Sequence, residues 1–251
     1  MAFKRFDLLI NKKIPSYNKN INVDADKSIS IRSFLIGAIS ENLSTVNNVL
    51  ESEDVYSTIN SLKKLGVKIK KQKTKKYLIF GKGLGSLHIR NKIKLNFGNS
   101  GTLARLLIGI LATTSGVKVK ISGDHSLNKR SMKSLINLMT KFGASFLPKN
   151  KFNLPLKLIS SEMPVGINYK AGVSAQLKSA VMLAGLNSFG ETKIIETLRS
   201  RNHTENMLLN NPHIISVQEK RKKIIKIFGK KYLNSINIEV PGDPSSAAFF
   251  S

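Results

Sequence analysis

The sequence has no cysteine, and only 15 of its 251 residues are acidic against 41 Lys and Arg. Without cysteine, disulfides and thiolate metal sites are excluded. Long apolar runs are missing too. The longest, Leu103 to Ala112, falls well short of the ~20 residues a membrane-spanning helix needs. The first residues, Met1 to Lys13, lack the apolar core of a signal peptide and include an aspartate, unlike most transit peptides. These absences set the expectation of a cytoplasmic protein with no membrane partner.

The scarcity of acids leaves a net charge of +26. That balance fits a nucleic-acid surface, an anionic small substrate, or compositional drift in a chain rich in Lys, Asn and Ile together. The lysines are scattered through segments such as Lys68 to Lys76 and Lys220 to Lys231. A nucleic-acid surface would more often carry a stripe of Arg with exposed aromatics. Drift is therefore the preferred reading of most of the charge, and no nucleic-acid partner is expected.

What is present is a repeat. The stretches "DKSISIRSFLIGAIS" from Asp26, "GNSGTLARLLIGILA" from Gly98, "GVSAQLKSAVMLAGL" from Gly172 and "GDPSSAAFFS" from Gly242 each set a small or polar turn before a helix. Each carries a serine near the helix start. These are Ser28, Ser100, Ser174 and Ser245, at intervals of 72, 74 and 71 residues. Arg32, Arg105 and Lys178 follow the first three serines by four or five residues.

A second helix recurs between these marks. Val55, Ile59, Leu62 and Leu65 precede Gly66; Met132, Leu135, Leu138, Met139 and Phe142 precede Gly143. Both sets have helical period and a glycine stop. Strands are predicted at 67–69, 77–80, 87–89, 117–121 and 144–147, and Glu196 to Leu209 opens a third unit. The unit reads β-α-β-α-β-β, three times over with a fourth begun. This α/β pattern suggests sheets outside or beside packed helices.

The repeat bears on chemistry. A helix N-terminus has free backbone N–H groups and a partial positive charge, so several aimed at one cleft would form an anion site. A serine that merely caps its own helix is the commoner case. Recurrence at one spacing, with basic residues close by, favours the anion site.

The segments Asp26 to Arg32, Gly98 to Leu107, "GDHSLNKRSM" from Gly123, "SAQLKSAVMLAGL" from Ser174, "SRNHTENML" from Ser200 and "VPGDPSSAAFF" from Val240 resemble the enolpyruvyl transferase family, in particular its shikimate-3-phosphate branch. They occur in the family's order across nearly the whole chain. The resemblance implies an inside-out α/β barrel of βαβαββ units, repeated in two domains. Residues 1–23 would belong to the second domain, 24–241 would form a three-repeat substrate-binding domain, and 242–251 would begin the second. Family members are much longer, so the chain is expected to be truncated at its C-terminus.

The implied reaction moves the enolpyruvyl group of phosphoenolpyruvate to the 5-hydroxyl of shikimate 3-phosphate and releases phosphate, within chorismate biosynthesis. No cofactor or metal is implied, and the expected state is a monomer. The resemblance gives Lys27 a catalytic role and contacts to both substrates. It assigns phosphoenolpyruvate to Lys27, Asn99, Gly101, Thr102, Arg130 and Gln176. It assigns shikimate 3-phosphate to Lys27, Ser28, Arg32, Ser174, Gln176, Ser200 and Arg201.

Gly101 would have both a steric and a conformational reason, since a side chain there narrows the space that phosphate, or the inhibitor glyphosate, occupies. Arg105 either supports this turn or touches substrate. His203 reads as structural, and His88, His125 and His213 show no metal-ligand pattern. The base for the 5-hydroxyl is a second-domain carboxylate in the family, so the 251 residues alone are expected to bind weakly and turn over nothing. The alternatives are the UDP-N-acetylglucosamine branch, which usually has a reactive loop cysteine, a basic nucleic-acid-binding module, and a non-catalytic gene product.

Overall fold

The computed structural model describes Leu9 and residues 20–87, 93–219 and 221–248. The first unit contains α1 (Lys27–Ile39), β1 (Leu43–Asn47), α2 (Glu53–Lys64), β2 (Lys68–Lys73) and β3 (Lys76–Phe80). The second contains β4 (Lys94–Asn96), α3 (Gly101–Ala112), β5 (Lys118–Ser122), α4 (His125–Lys129), α5 (Lys133–Lys141), β6 (Ser145–Leu147) and β7 (Leu156–Ile159). The third contains β8 (Asn168–Ala171), α6 (Ala175–Leu186), β9 (Glu191–Glu196), α7 (His203–Leu208), β10 (Ile215–Glu219) and β11 (Lys223–Phe228), followed by β12 (Asn237–Glu239) and α8 (Pro244–Ala247). The strand expected at 87–89 falls largely outside the described residues, as do most of 1–23 and the last three residues of 242–251; Leu87 itself is buried coil.

Three four-stranded sheets share one plan. Their orders are β12-β1-β3-β2, β4-β5-β7-β6 and β8-β9-β11-β10. In each, the first two strands are parallel and the other pairs antiparallel. The first unit has no leading strand of its own among the described residues. β12 takes that place late in the chain, with Val46 opposite Ile238. Close to it, Asp26 N–H donates to Pro241 O at 2.8 Å, and Asp243 N–H to Asp24 O at 2.8 Å. The segments around 24–26 and 241–243 thus run side by side.

The first helix of every unit is central. α3 is buried along its whole length except at Arg105, and α1 and α6 are buried from Ser30 and Lys178 onward. A helix apolar on all sides has to lie inside. Each buried Leu or Ile contributes roughly 1.5–3 kcal/mol. At Gly109 a Cβ would lie 2.6 Å from the Ala180 carbonyl oxygen, so α3 and α6 approach backbone to backbone. The second helices, α2 and α5, bury one stripe each: Val55, Ile59 and Leu62; Leu135, Ile136, Leu138 and Met139.

Strand side chains alternate between these helices and solvent. On β5, Val119 and Ile121 face inward while Lys118 and Lys120 are exposed. Lys68, Lys70, Lys71 and Lys73 of β2 are exposed as well. No helix among the described residues is long and apolar enough to cross a membrane.

Two local features differ from the plain repeat. Ser28 and Ser245 do not cap their helices. Asp26 Oδ1 accepts Ile29 N–H at 2.7 Å and Asp243 Oδ1 accepts Ser245 N–H at 3.0 Å, whereas Ser100 and Ser174 are true caps. Asp26 and Asp243 hold the N-cap position, from which a side-chain oxygen reaches the second or third amide of the helix, whereas Ser28 and Ser245 already lie inside the first turn. The second helix of unit two is also broken. Asp124 caps α4, Asn128 ties back to Gly123, and Arg130 is extended before α5 begins.

Candidate active site

The N-terminal ends of α1, α3 and α6 border one cleft. Lys27 and Gly101 are the first residues of α1 and α3, and Thr102 and Gln176 the second residues of α3 and α6. These four, with Glu53, Asp54, Asn99, Arg105 and Arg130, line a polar cleft of about 660 Å³. With Glu53 and Asp54 at the start of α2, four helix starts border one volume, each with the positive end of its dipole. The fourth marker, Ser245, lies elsewhere, 3.3 Å from Arg201 Nη2.

Hydrogen bonds fix the lining. Arg130 Nη2 donates to Asn99 Oδ1 at 2.7 Å, and Gln176 Nε2 to Thr102 Oγ1 at 2.8 Å. The break between α4 and α5 is what delivers Arg130 to the turn before α3. Arg105 Nη1 donates to the Gly101 carbonyl at 3.1 Å and also lines the cleft, so it both supports the turn and faces the volume. Burial, followed by the nearby Arg130 charge, lowers the Arg105 pKa.

Gly101 has the steric reason but not the conformational one. It begins α3, and its φ lies outside the left-handed region, which Gly98 occupies instead at 57°. A Cβ on Gly101 would meet Arg105 Nη1 at 2.8 Å and Arg130 Nη1 at 3.3 Å. Two guanidinium groups and a helix start around a residue without a side chain suit a phosphate or carboxylate.

Acidic residues were not among the sequence candidates, yet Glu53 and Asp54 line the cleft. They open α2, where carboxylates are favoured by the helix dipole. Asp54 Oδ2 is 3.2 Å from Lys27 Nζ. Their place at a helix start was legible; their turning toward Lys27 depends on packing of α2 against α1.

All six residues expected to contact phosphoenolpyruvate therefore share the cleft. Of the other set, only Lys27 and Gln176 do. Ser174 lies two residues before Gln176, with Oγ accepting Leu177 N–H at 3.4 Å. Arg32 is buried: Nε donates to Thr204 Oγ1 at 2.9 Å, Nη1 to Ser28 O at 3.0 Å and Nη2 to Ser179 Oγ at 3.2 Å. It ties α1 to α6 and α7. Burial lowers its pKa to about 10, against the opposing pull of Asp26 and Glu205.

Ser200 is half-buried and held by Glu196, while Arg201 is exposed. Lys178, grouped by spacing with the anion-facing basic residues, instead lies wholly buried between Glu196 at 2.9 Å and Glu205 at 2.6 Å. His203 is half-buried, its Nδ1 has no hydrogen-bond partner, and burial lowers its pKa. Among the described residues no cluster of three or more His, Asp or Glu is placed to hold a metal ion.

This arrangement has counterparts. Residues 12–251 match the family model described as EPSP synthase (3-phosphoshikimate 1-carboxyvinyltransferase). A relative named 3-phosphoshikimate 1-carboxyvinyltransferase from Vesicomyosocius okutanii is 40% identical over 243 residues, covering 96% of this chain and 54% of that protein. One of the same name from Zymomonas mobilis is 38% identical, covering 96% and 53%. A solved structure of EPSP synthase from Acinetobacter baumannii superimposes with a TM-score of 0.82 at 37% identity, covering 92% of this chain and 51% of that one. The chain spans about half the length of the curated relatives it matches.

Proposed function

The chain belongs to the EPSP synthase family, and from that premise we propose that it supplies the phosphoenolpyruvate pocket and part of the shikimate-3-phosphate site of a 3-phosphoshikimate 1-carboxyvinyltransferase. The reaction moves the enolpyruvyl group to the 5-hydroxyl and releases phosphate. One observation carries this reading: Lys27, Asn99, Gly101, Thr102, Arg130 and Gln176 line a single cleft at three helix starts.

The roles follow from the chemistry. Gly101 opens the α3 N–H groups to the phosphate, and the Arg130 fork pairs with two of its oxygens. Lys27 neutralises charge at the reacting atoms and stands where it can hold a proton for them. Gln176, bonded to Thr102, touches both substrates. Ser28, Arg32, Ser174, Ser200 and Arg201 hold shikimate 3-phosphate. Residues 24–241 act as one substrate-binding unit, cytoplasmic and monomeric, and these 251 residues alone bind substrate without measurable turnover.

Isothermal titration of the chain with each substrate, paired with a phosphate-release assay, tests this. Binding of shikimate 3-phosphate without phosphate release is expected. No binding of either substrate overturns the assignment of the cleft; phosphate release overturns the statement about turnover.

A further inference from the structure

Ser200 directs both of its donors inward. Its backbone N–H reaches Glu196 Oε1 at 2.8 Å, and its hydroxyl reaches the same oxygen at 2.6 Å. Lys178 Nζ lies 2.9 Å from that oxygen as well. The Lys178 and Glu196 side chains are wholly buried, while Glu196 Oε2 has no hydrogen-bond partner. Three donors thus converge on one oxygen at the end of β9.

A serine held this way offers an incoming anion only lone pairs. A phosphoester requires donors. We propose that Glu196 is a positioning residue that stores the Ser200 hydroxyl, so that phosphate engages Ser200 only by drawing its O–H away from the buried carboxylate. The proposal rests on the reading of Ser200 as a ligand of shikimate 3-phosphate. No covalent bond changes and no proton leaves the serine oxygen; the hydroxyl rotates from one anionic acceptor to another.

The surroundings permit this exchange. When the hydroxyl turns away, Glu196 Oε1 keeps Lys178 and the Ser200 N–H, so the buried charge stays compensated. One charge-assisted hydrogen bond is lost and one formed, which makes the step close to neutral for phosphate. For a neutral ligand oxygen it is unfavourable, because the acceptor gained is weaker than the one lost. The latch therefore selects phosphorylated over unphosphorylated ligand, beyond what contact alone supplies.

The test measures shikimate 3-phosphate affinity for the unaltered chain, Ser200→Ala, Glu196→Gln and the double variant. Ser200→Ala is expected to weaken binding about 3- to 10-fold, because the bond to phosphate that it loses is partly offset by the bond to Glu196 that no longer has to be broken. Glu196→Gln is expected to tighten binding, and the gain is expected to shrink about 5-fold or more when residue 200 is alanine. An equal gain in both backgrounds overturns the latch, because charge alone would explain it. A loss of about 30-fold or more in Ser200→Ala also overturns it, since that marks a hydroxyl free to donate from the outset.

Should Glu196→Gln fail to fold, carboxyl carbon-13 titration of Glu196 decides the question without it. Saturating ligand is expected to raise its midpoint more in the unaltered chain than in Ser200→Ala; an equal rise overturns the latch. Absence of binding in every protein overturns the phosphate reading and the latch with it, and the ligand-free titration still reports whether Ser200 and Glu196 are bonded.

Discussion

Lys27 Nζ and Asp54 Oδ2 stand 3.2 Å apart in the cleft, joining the start of α1 to the start of α2. The lysine side chain is 52% exposed and the aspartate 20%, so the pair is worth less than ~1 kcal/mol to stability. Its effect on an anionic ligand is larger, because the carboxylate both occupies Lys27 and repels phosphate. Asp54→Asn is expected to tighten phosphoenolpyruvate binding about 3- to 10-fold while leaving the melting temperature nearly unchanged. Titration calorimetry with a parallel thermal melt checks both; weaker binding would assign Asp54 to holding Lys27 in its productive place.

Gly101→Ala separates packing from binding. The added Cβ meets the free ends of Arg105 and Arg130 rather than backbone, so the fold can yield by moving guanidinium groups. A change in stability below about 1 kcal/mol is expected, with phosphoenolpyruvate affinity falling 10-fold or more. Equal affinity in the variant would show that phosphate does not approach this helix start.

The units and most of this cleft were legible because they rest on short-range rules. Small residues before an apolar run mark a helix start, and glycine after one marks a stop. Spacing alone could not assign direction. Arg105 and Lys178 occupy similar steps of the repeat, yet Arg105 faces the cleft and Lys178 points into a buried pair of glutamates. Those glutamates come from β9 and α7, outside α6 itself. Nor did periodicity reveal that β12 completes the first sheet, because that pairing joins Val46 to Ile238 across most of the chain. The family resemblance, not residue pattern, singled out Arg130; only the α4 to α5 break shows how it arrives.

Arg32 and Arg201 are both assigned to shikimate 3-phosphate, and the structure separates what each does for the fold. Arg32 is buried with three hydrogen bonds; Arg201 is exposed and reaches only Ser245 Oγ at 3.3 Å among the contacts described. Arg32→Met is expected to destabilise by about 3–5 kcal/mol, because it leaves Thr204 Oγ1, Ser28 O and Ser179 Oγ without the buried donor that they share. Arg201→Ala is expected to stay within about 0.5 kcal/mol in stability while weakening shikimate 3-phosphate binding 10-fold or more. Urea unfolding and titration calorimetry on both variants check the contrast.

Glu196 gives stability a defined pH dependence. Burial alone would raise its pKa, but hydrogen bonds from Ser200 and Lys178 outweigh burial and hold it below the usual 4.5. A carboxylate depressed by folding stabilises the native state fully above its unfolded pKa, and that contribution is lost as pH falls through the folded one. Ser200→Ala removes part of the depression. It is expected to cost ~1–2 kcal/mol near pH 7, with the difference from the unaltered chain shrinking as pH drops below 4.5. Urea midpoints for both proteins across that range test the sign. A difference that stayed constant into acid would mean that Ser200 stabilises the β9 turn by packing, because only a bond to the ionised carboxylate disappears when the carboxylate is protonated.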